Sequence, residues 1–221
     1  MNYKIINNED KLKEFIEWLP ILQDDEVFYV SLFSRMKYCK GKRQSNKGTQ
    51  IKRFACKKEF LLNKIKQLEV VVGNYSIDGK PIPQESLALY IHPNPRSLRK
   101  ATFMLMKESL KMIQEDNAYF NIQAKLLSAI QKSKNRNFVV DFDIDSKDID
   151  FRQLEAILAK NAYDVIETRG GYHVLVYPKI TLFVNWYNKI REQYDVDNTG
   201  DMLLPVVGCC QGGFTPRFTT K

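Results

Sequence analysis

The sequence predicts an α+β fold in which two modules interlock as one domain: a basic N-terminal αβ module (1–134) and a C-terminal module (135–221) built on a βαββαβ plan. Three observations predict it. From residue 138 onward, segments of strand and helix periodicity follow in the order strand, helix, strand, strand, helix, strand, the ferredoxin-like order of RNA-recognition and palm-type folds. The chain has 221 residues, 44% of them hydrophobic and 12% aromatic, enough for one sizeable core. Its charge is uneven. The net value is +8 with a pI near 9.2, and bases crowd residues 35–66, where Glu59 is the only acid.

The elements follow in order. Asn8 is placed to cap a helix whose face is Leu12, Phe15, Ile16 and Leu19, stopped by Pro20. Residues 27–33 are rich in strand formers. Residues 41–49 read as a polar, basic loop or hairpin tip, and 51–54 as the returning strand. Residues 57–69 read as one helix with Phe60, Leu61, Ile65 and Leu68 inward, and 74–83 as turns around Asp78-Gly79. A strand at 87–91 leads into His92-Pro93-Asn94-Pro95-Arg96, after which Asn94 or Ser97 can cap a helix. Arg96, Arg99 and Lys100 gather at that helix start, where cations oppose the macrodipole unless an anion binds. A helical tract spans 102–132 with a break at 116–117.

In the C-terminal module, the strand at 138–145 puts Asp141, Asp143 and Asp145 on one face and Val140, Phe142 and Ile144 on the other. Clustered carboxylates repel one another unless a cation neutralises them, and hard divalent ions take oxygen ligands. The pattern therefore suits a metal platform, while a solvated strand edge running into an acidic turn is the plainer account. A helix is expected at 150–160, two strands about a turn within 165–177, a helix at 181–194 with Leu182, Trp186, Ile190 and Tyr194 on one side, an acidic loop at 195–200, and a last strand at 202–207.

The basic run holds Arg35, Lys37, Lys40, Lys42, Arg43, Lys47, Lys52 and Arg53, interleaved with Phe33, Tyr38 and Phe54. Cations beside aromatics suit a nucleic acid, through phosphate neutralisation and base stacking. They also suit a solvated strand face. No apolar run is long enough to span a bilayer and the first residues lack a signal-peptide pattern, so no membrane role and a cytoplasmic location are expected. Cys39, Cys56, Cys209 and Cys210 lack metal-site spacing and read as free thiols.

The second chemical stretch is Glu167-Thr168-Arg169-Gly170-Gly171-Tyr172-His173. Its glycines permit a tight turn whose amides can approach an anion. His173 is one of only two histidines. It can donate to a phosphate oxygen, or be a satisfied core histidine, which is the better account of it in isolation.

Taken together, these stretches resemble the archaeo-eukaryotic primase superfamily, in its phage and plasmid primase-polymerase form. Asp141-Phe142-Asp143 resembles the DxD motif, and Gly171-Tyr172-His173 the (Ser/Gly)-x-His motif. Residues 204–214, with Gln211-Gly212-Gly213, resemble the family's PxPGTxQGGF stretch, although Val207 and Cys209 replace its Pro and Thr. Residues 90–100 are similar to the family's N-terminal half.

The resemblance implies a primase catalytic core that makes primers on single-stranded DNA from NTPs or dNTPs with two Mg²⁺ or Mn²⁺ ions. Asp141, Asp143 and a third acid would hold the ions. Val196-Asp197 fits the hydrophobic-Asp pattern best, Asp201 comes second and Asp195 competes. His173, Arg169, Gly171, Gln211 and Gly212 would bind the nucleotide. Arg35, Lys37, Arg53, Arg96, Arg99 and Lys100 would track the template. Removing Asp141 or Asp143 is expected to abolish synthesis and leave the fold intact or even stabilised. A replicative helicase or polymerase is an expected partner, and a phage or plasmid origin would place the chain in a bacterial cytoplasm. A non-catalytic single-strand-binding module on an RNA-recognition-like sheet is the alternative.

Overall fold

The computed structural model describes residues 1–39, 48–115, 121–147, 149–181 and 185–219. Among them the fold is α+β, with two five-stranded antiparallel sheets and a separate two-stranded hairpin.

The first sheet is built on β1 (Glu26–Ser34), which pairs antiparallel with β2 (Thr49–Cys56) on one side and, on the other, with β5 (Leu87–Ile91). Nearly every residue of β1 is buried, because both faces are covered. Phe28, Val30 and Leu32 face a core shared with α1 (Glu9–Trp18) and α2 (Leu61–Lys66). Val27 and Tyr29 face Ala101 of α3 (Leu98–Gln114) and Ala129 and Ile130 of α4 (Ile122–Lys132).

Asn8 caps α1 as expected, its Oδ1 accepting from Lys11 N at 3.0 Å. Between Asn94 and Ser97 the structure chooses Ser97, whose hydroxyl accepts from Lys100 N. The expected break at 116–117 and the tip of the basic loop (40–47) lie outside the described residues. The helix expected over 57–69 is shorter. A 3-10 turn (Lys58–Phe60) precedes α2, and its tighter winding takes Phe60 off the face shared by Leu61, Ile65 and Leu68, leaving it 53% exposed.

The turn-rich stretch after α2 folds into a small hairpin, β3 (Ser76–Ile77) and β4 (Lys80–Pro81), with Asp78 and Gly79 at positive φ at its tip. β6 (Arg96–Ser97) pairs with the start of β1. There Glu26 is fully buried and receives Arg136 Nε, Asn135 Nδ2 and Gln23 N, each at 2.9 Å.

The second sheet comprises β7 (Val140–Ile144), β8 (Tyr163–Glu167), β9 (Tyr172–Val176), β10 (Val196–Gly200) and β12 (Arg217–Phe218), in the order β10-β7-β9-β8-β12. With α5 (Phe151–Ile157) and α6 (Trp186–Gln193), residues 140–200 run β, α, β, β, α, β. Alternation decides the two faces. Phe142, Ile144, Val165, Val174 and Val176 pack against Leu154, Leu158 and Ile190 on the helix side. On the opposite face, Ile166 and Leu175 enter the core shared with the first sheet. Asp141, Asp143 and His173 occupy the same face beyond them.

Two expectations about the last strands are corrected. Residues 195–200 are not a loop, since β10 is the edge strand beside β7. The strand expected at 202–207 reduces to β11 (Leu204–Pro205), and it crosses to the first sheet to pair with β5. Asp, Asn and Gly in β10 read locally as a turn, and pairing with β7 overrides that preference. The apolar run 203–207 fits a buried strand of either sheet, so its own pattern does not name its partner. The helix expected at 181–194 begins at Trp186, and Leu182 lies outside the described residues.

Candidate active site

The two sheets meet along a cleft of about 610 Å³. Its acidic side begins with β7 and β9, whose register sets Asp143 opposite His173. His173 is buried, with Nδ1 2.9 Å from both oxygens of Asp141 and Nε2 3.4 Å from Asp143 Oδ1. Burial alone would lower the imidazole's pKa. The charge and hydrogen bond of Asp141, then the charges of Asp143 and Asp145, outweigh it and raise the pKa above the ordinary histidine value. When protonated, His173 is the positive charge inside a carboxylate cluster. Its δ nitrogen donates to a carboxylate, where a phosphate acceptor was expected.

Asp143 is pushed the other way from most paired acids. Burial raises its pKa first, and Asp141, Asp145 and Asp197 add to the rise against the lowering effect of His173. Asp197 reaches this cluster through a β-bulge. The register slips between Val196 and Asn198, so Asp197 stands unpaired beside the Asp143 level of β7. Asp145 sits next to Gly170, where an added Cβ would come within 3.1 Å of its Oδ1. Asp143, Asp145, Asp197 and Asp201 all line the cleft, while Asp195 does not.

The same cleft has a cationic and aromatic wall. Arg169 stacks on Tyr38, with Cζ 4.6 Å from the ring centroid, and Arg35 stacks on Tyr90 at 4.9 Å. The two tyrosine hydroxyls are 3.4 Å apart. Lys37 lines the same wall. The Gln211-Gly212-Gly213 stretch holds Arg169 in place. Gln211 Oε1 accepts from Arg169 N at 2.9 Å, and the Gly212 carbonyl accepts from Arg169 Nη1. Gly212 and Gly213 adopt φ of 58° and 79°, and Gln211 bridges to Phe214 across them, the geometry of a tight hairpin turn. Gly212 has no room for a side chain, since a Cβ there would lie 2.3 Å from the Tyr38 ring. Gly171 is a close-packing glycine as well. A Cβ there would meet the Ile144 carbonyl at 1.9 Å, and its N–H points to Thr168 Oγ1 at 3.3 Å, so that amide serves the turn.

Arg96 does not lie on an open surface for template phosphates. It is 1% exposed, and its guanidinium grips Asp201 with two hydrogen bonds of 2.6 and 2.9 Å. The anion that the basic helix start called for is, at Arg96, a carboxylate of the chain itself. Asn94 Nδ2 also donates to Asp201 Oδ1, and Asn94 Oδ1 accepts from Phe138 N and Val139 N at the entry to β7. This network ties the first sheet to the second. Arg53 is turned inward too, donating to Ser128 Oγ and the Ala124 carbonyl of α4. Arg99 and Lys100 are exposed at the start of α3, away from the cleft lining, and Lys100 Nζ donates to the Lys134 carbonyl.

Like Tyr90, His92 is a cleft residue that sequence reasoning missed. It is 6% exposed and lines the cleft behind Asp201. Its Nδ1 stands 3.1 Å from the Met202 carbonyl, which can only accept, so Nδ1 carries the proton. Its Nε2 is buried without a hydrogen-bond partner among the described residues. Being the only other histidine and directly following a strand were its available signals.

Among the described residues, no group of three or more His, Cys, Asp or Glu side chains converges tightly enough to hold a metal ion as the side chains stand. The four cysteines are buried. No helix of the described residues is long and apolar enough to cross a membrane. Comparison with protein families, with curated proteins and with solved structures finds no match.

Proposed function

We propose that the cleft is the active site of a template-directed nucleotidyltransferase, a DNA primase or primase-polymerase of the archaeo-eukaryotic type. One observation carries this reading: a single cleft is lined both by Asp143, Asp145 and Asp197 and by Arg35, Lys37 and Arg169. A nucleoside triphosphate on a divalent ion needs both walls, anionic for the metal and cationic for the phosphates. The ferredoxin-like strand order of the second sheet agrees with the primase resemblance.

The donor set fits Mg²⁺ or Mn²⁺ in kind, since all its members are hard carboxylate oxygens, and the pKa of Asp143, raised first by burial and then by the charges of Asp141, Asp145 and Asp197, is one that a bound cation would bring down. Asp143, Asp145 and Asp197 would hold the metal, which when bound supplies Lewis-acid activation and charge neutralisation. Asp141 and His173 act behind them. The His173 ring bridges Asp141 and Asp143, and Asp141 fixes the ring. Arg169, held by Gln211 and Gly212, and Arg35 would take the triphosphate. Catalysis would be positioning and charge stabilisation, without a covalent intermediate. Tyr38 and Tyr90 serve as the rings on which the Arg169 and Arg35 guanidiniums stack. A purely binding sheet would expose aromatic side chains where the second sheet bears Asp141, Asp143 and His173.

The test is synthesis on unprimed and on primed single-stranded DNA with NTPs or dNTPs and Mg²⁺ or Mn²⁺, alongside the Asp143→Asn, Asp197→Asn double variant. Metal-dependent products from the wild type alone support the proposal. DNA binding without products on either template supports the binding module instead.

A further inference from the structure

Glu108 pairs with Lys125, and Lys100 Nζ reaches the Lys134 carbonyl, so α3 and α4 run antiparallel and the end of α4 returns to the start of α3. Four bases gather at that corner. Arg99, Lys100 and Lys132 are exposed and Lys134 is half-buried. None of the four forms an ion pair among the described residues. The first turn of α3 holds no acid, so Arg99 and Lys100 add their charge to the positive end of the helix dipole. The carboxylates packed nearby are already engaged. Asp25 accepts from the Ser97 hydroxyl, Glu26 from Arg136 and Asn135, and Asp201 from Arg96.

The corner adjoins the cleft. Gln131 lines the cleft and Lys132 follows it, while Lys134 is bridged to Arg96 through the backbone. One helical turn beyond Arg99 and Lys100 stands Phe103, 70% exposed, and one turn beyond that the exposed Lys107, on the same side of α3.

We propose that this corner is a second nucleic-acid surface, which takes the backbone of a single strand as it leaves the cleft past Gln131. The proposal rests on the reading of the cleft as a nucleotidyl-transfer site, which brings a strand to that point. Phosphates supply the anions that the start of α3 lacks, and Phe103 between Lys100 and Lys107 gives a base a ring to stack on. An anionic bilayer is the other polyanion to weigh. It favours bases along both borders of an apolar face, whereas here Lys100 and Lys107 border one side of Phe103 and Met106, and Thr102 and Ser109 border the other.

Fluorescence anisotropy with labelled oligothymidylates of ~6 and ~16 nucleotides tests the surface, since a longer strand reaches beyond the cleft. The wild type should bind the longer strand more tightly. The Arg99→Glu, Lys100→Glu double variant should lose about tenfold of that gain, and its plot of log affinity against log salt should be shallower by roughly 1.4, the share of two phosphates. Acids suit a helix start, so the variant should melt no lower than the wild type, and lost binding would not be lost folding. The same length dependence and salt slope in both proteins overturns the proposal. Length-dependent binding that the variant loses supports it even where no products form, and missing products then count against the proposed function alone. A wild type that binds neither strand overturns both. Flotation with phosphatidylserine vesicles that the variant loses while its strand binding persists would overturn the proposal in favour of a lipid surface.

Discussion

His173 and Asp141 form a buried ion pair, with the imidazole Nδ1 equidistant at 2.9 Å from both carboxylate oxygens. Asp141 is 1% exposed, so it is a structural partner before it is anything else. This reverses the expectation that its removal leaves the fold intact. Asp141→Ala strands a buried imidazolium and should cost on the order of 3 kcal/mol in urea unfolding. Asp143→Ala relieves crowding and should cost much less. Equal losses in the two variants would contradict the pair's structural role.

Arg96 and Asp201 form the other buried pair, and it separates the candidate metal ligands. Both Asp201 oxygens accept hydrogen bonds from Arg96 and Asn94. Asp201→Asn should lower stability by roughly 2–4 kcal/mol, because Arg96 loses its counter-charge. Mn²⁺ binding, followed by calorimetry below the melting range, should persist in Asp201→Asn and fall sharply in Asp197→Asn. The opposite pattern would return the ligand role to Asp201.

Gly212→Ala should disable the cation wall. The new Cβ would overlap the Tyr38 ring and lie 2.6 Å from Arg169 Nη1, in a left-handed conformation that disfavours any side chain. The cost is about 1–3 kcal/mol, with a larger loss in triphosphate affinity. Gly213→Ala has the same backbone strain but meets nothing within 4 Å, which makes it the control.

His92 predicts an acid-side loss of stability. Burial, reinforced by the Arg96 charge and opposed by Asp201, lowers its pKa to about 4 from an ordinary 6.5. The folded state therefore binds this proton less readily than the unfolded chain. The stability so held is complete above pH 6.5 and is lost as pH falls toward 4, about 2–4 kcal/mol in all. His92→Asn, which retains a donor for the Met202 carbonyl, should flatten that slope between pH 6.5 and 4 in thermal melts. An unchanged slope would assign the loss to other groups.

Much of this was legible in the sequence where periodicity and chemistry coincide. The alternation in β7 put Asp141 and Asp143 on one face, and both do contact His173. Asn8 was legible as a cap, and Ser97 as one of two candidates beside Asn94, because short polar side chains before an apolar period have few other uses. The fate of Arg96 was not legible. Its partner Asp201 is far away in sequence, and nothing local distinguishes an arginine that meets phosphate from one that meets a buried carboxylate. β10 was missed because its residues prefer turns and only the β7 edge makes them extended. The exposure of Phe103, Met106, Leu110 and Ile113 along α3 was not legible either: a helical period predicts a buried face, and only packing reveals that this one has no neighbour among the described residues.

The most direct measurement is calorimetric titration of the chain with a non-hydrolysable nucleoside triphosphate, with and without Mg²⁺ or Mn²⁺, in the wild type, Asp143→Asn and Arg169→Ala. If the two walls of the cleft bind one metal–triphosphate unit, binding requires the metal and is lost in both variants. Binding that is as strong without metal, or that survives Asp143→Asn unchanged, would contradict the account.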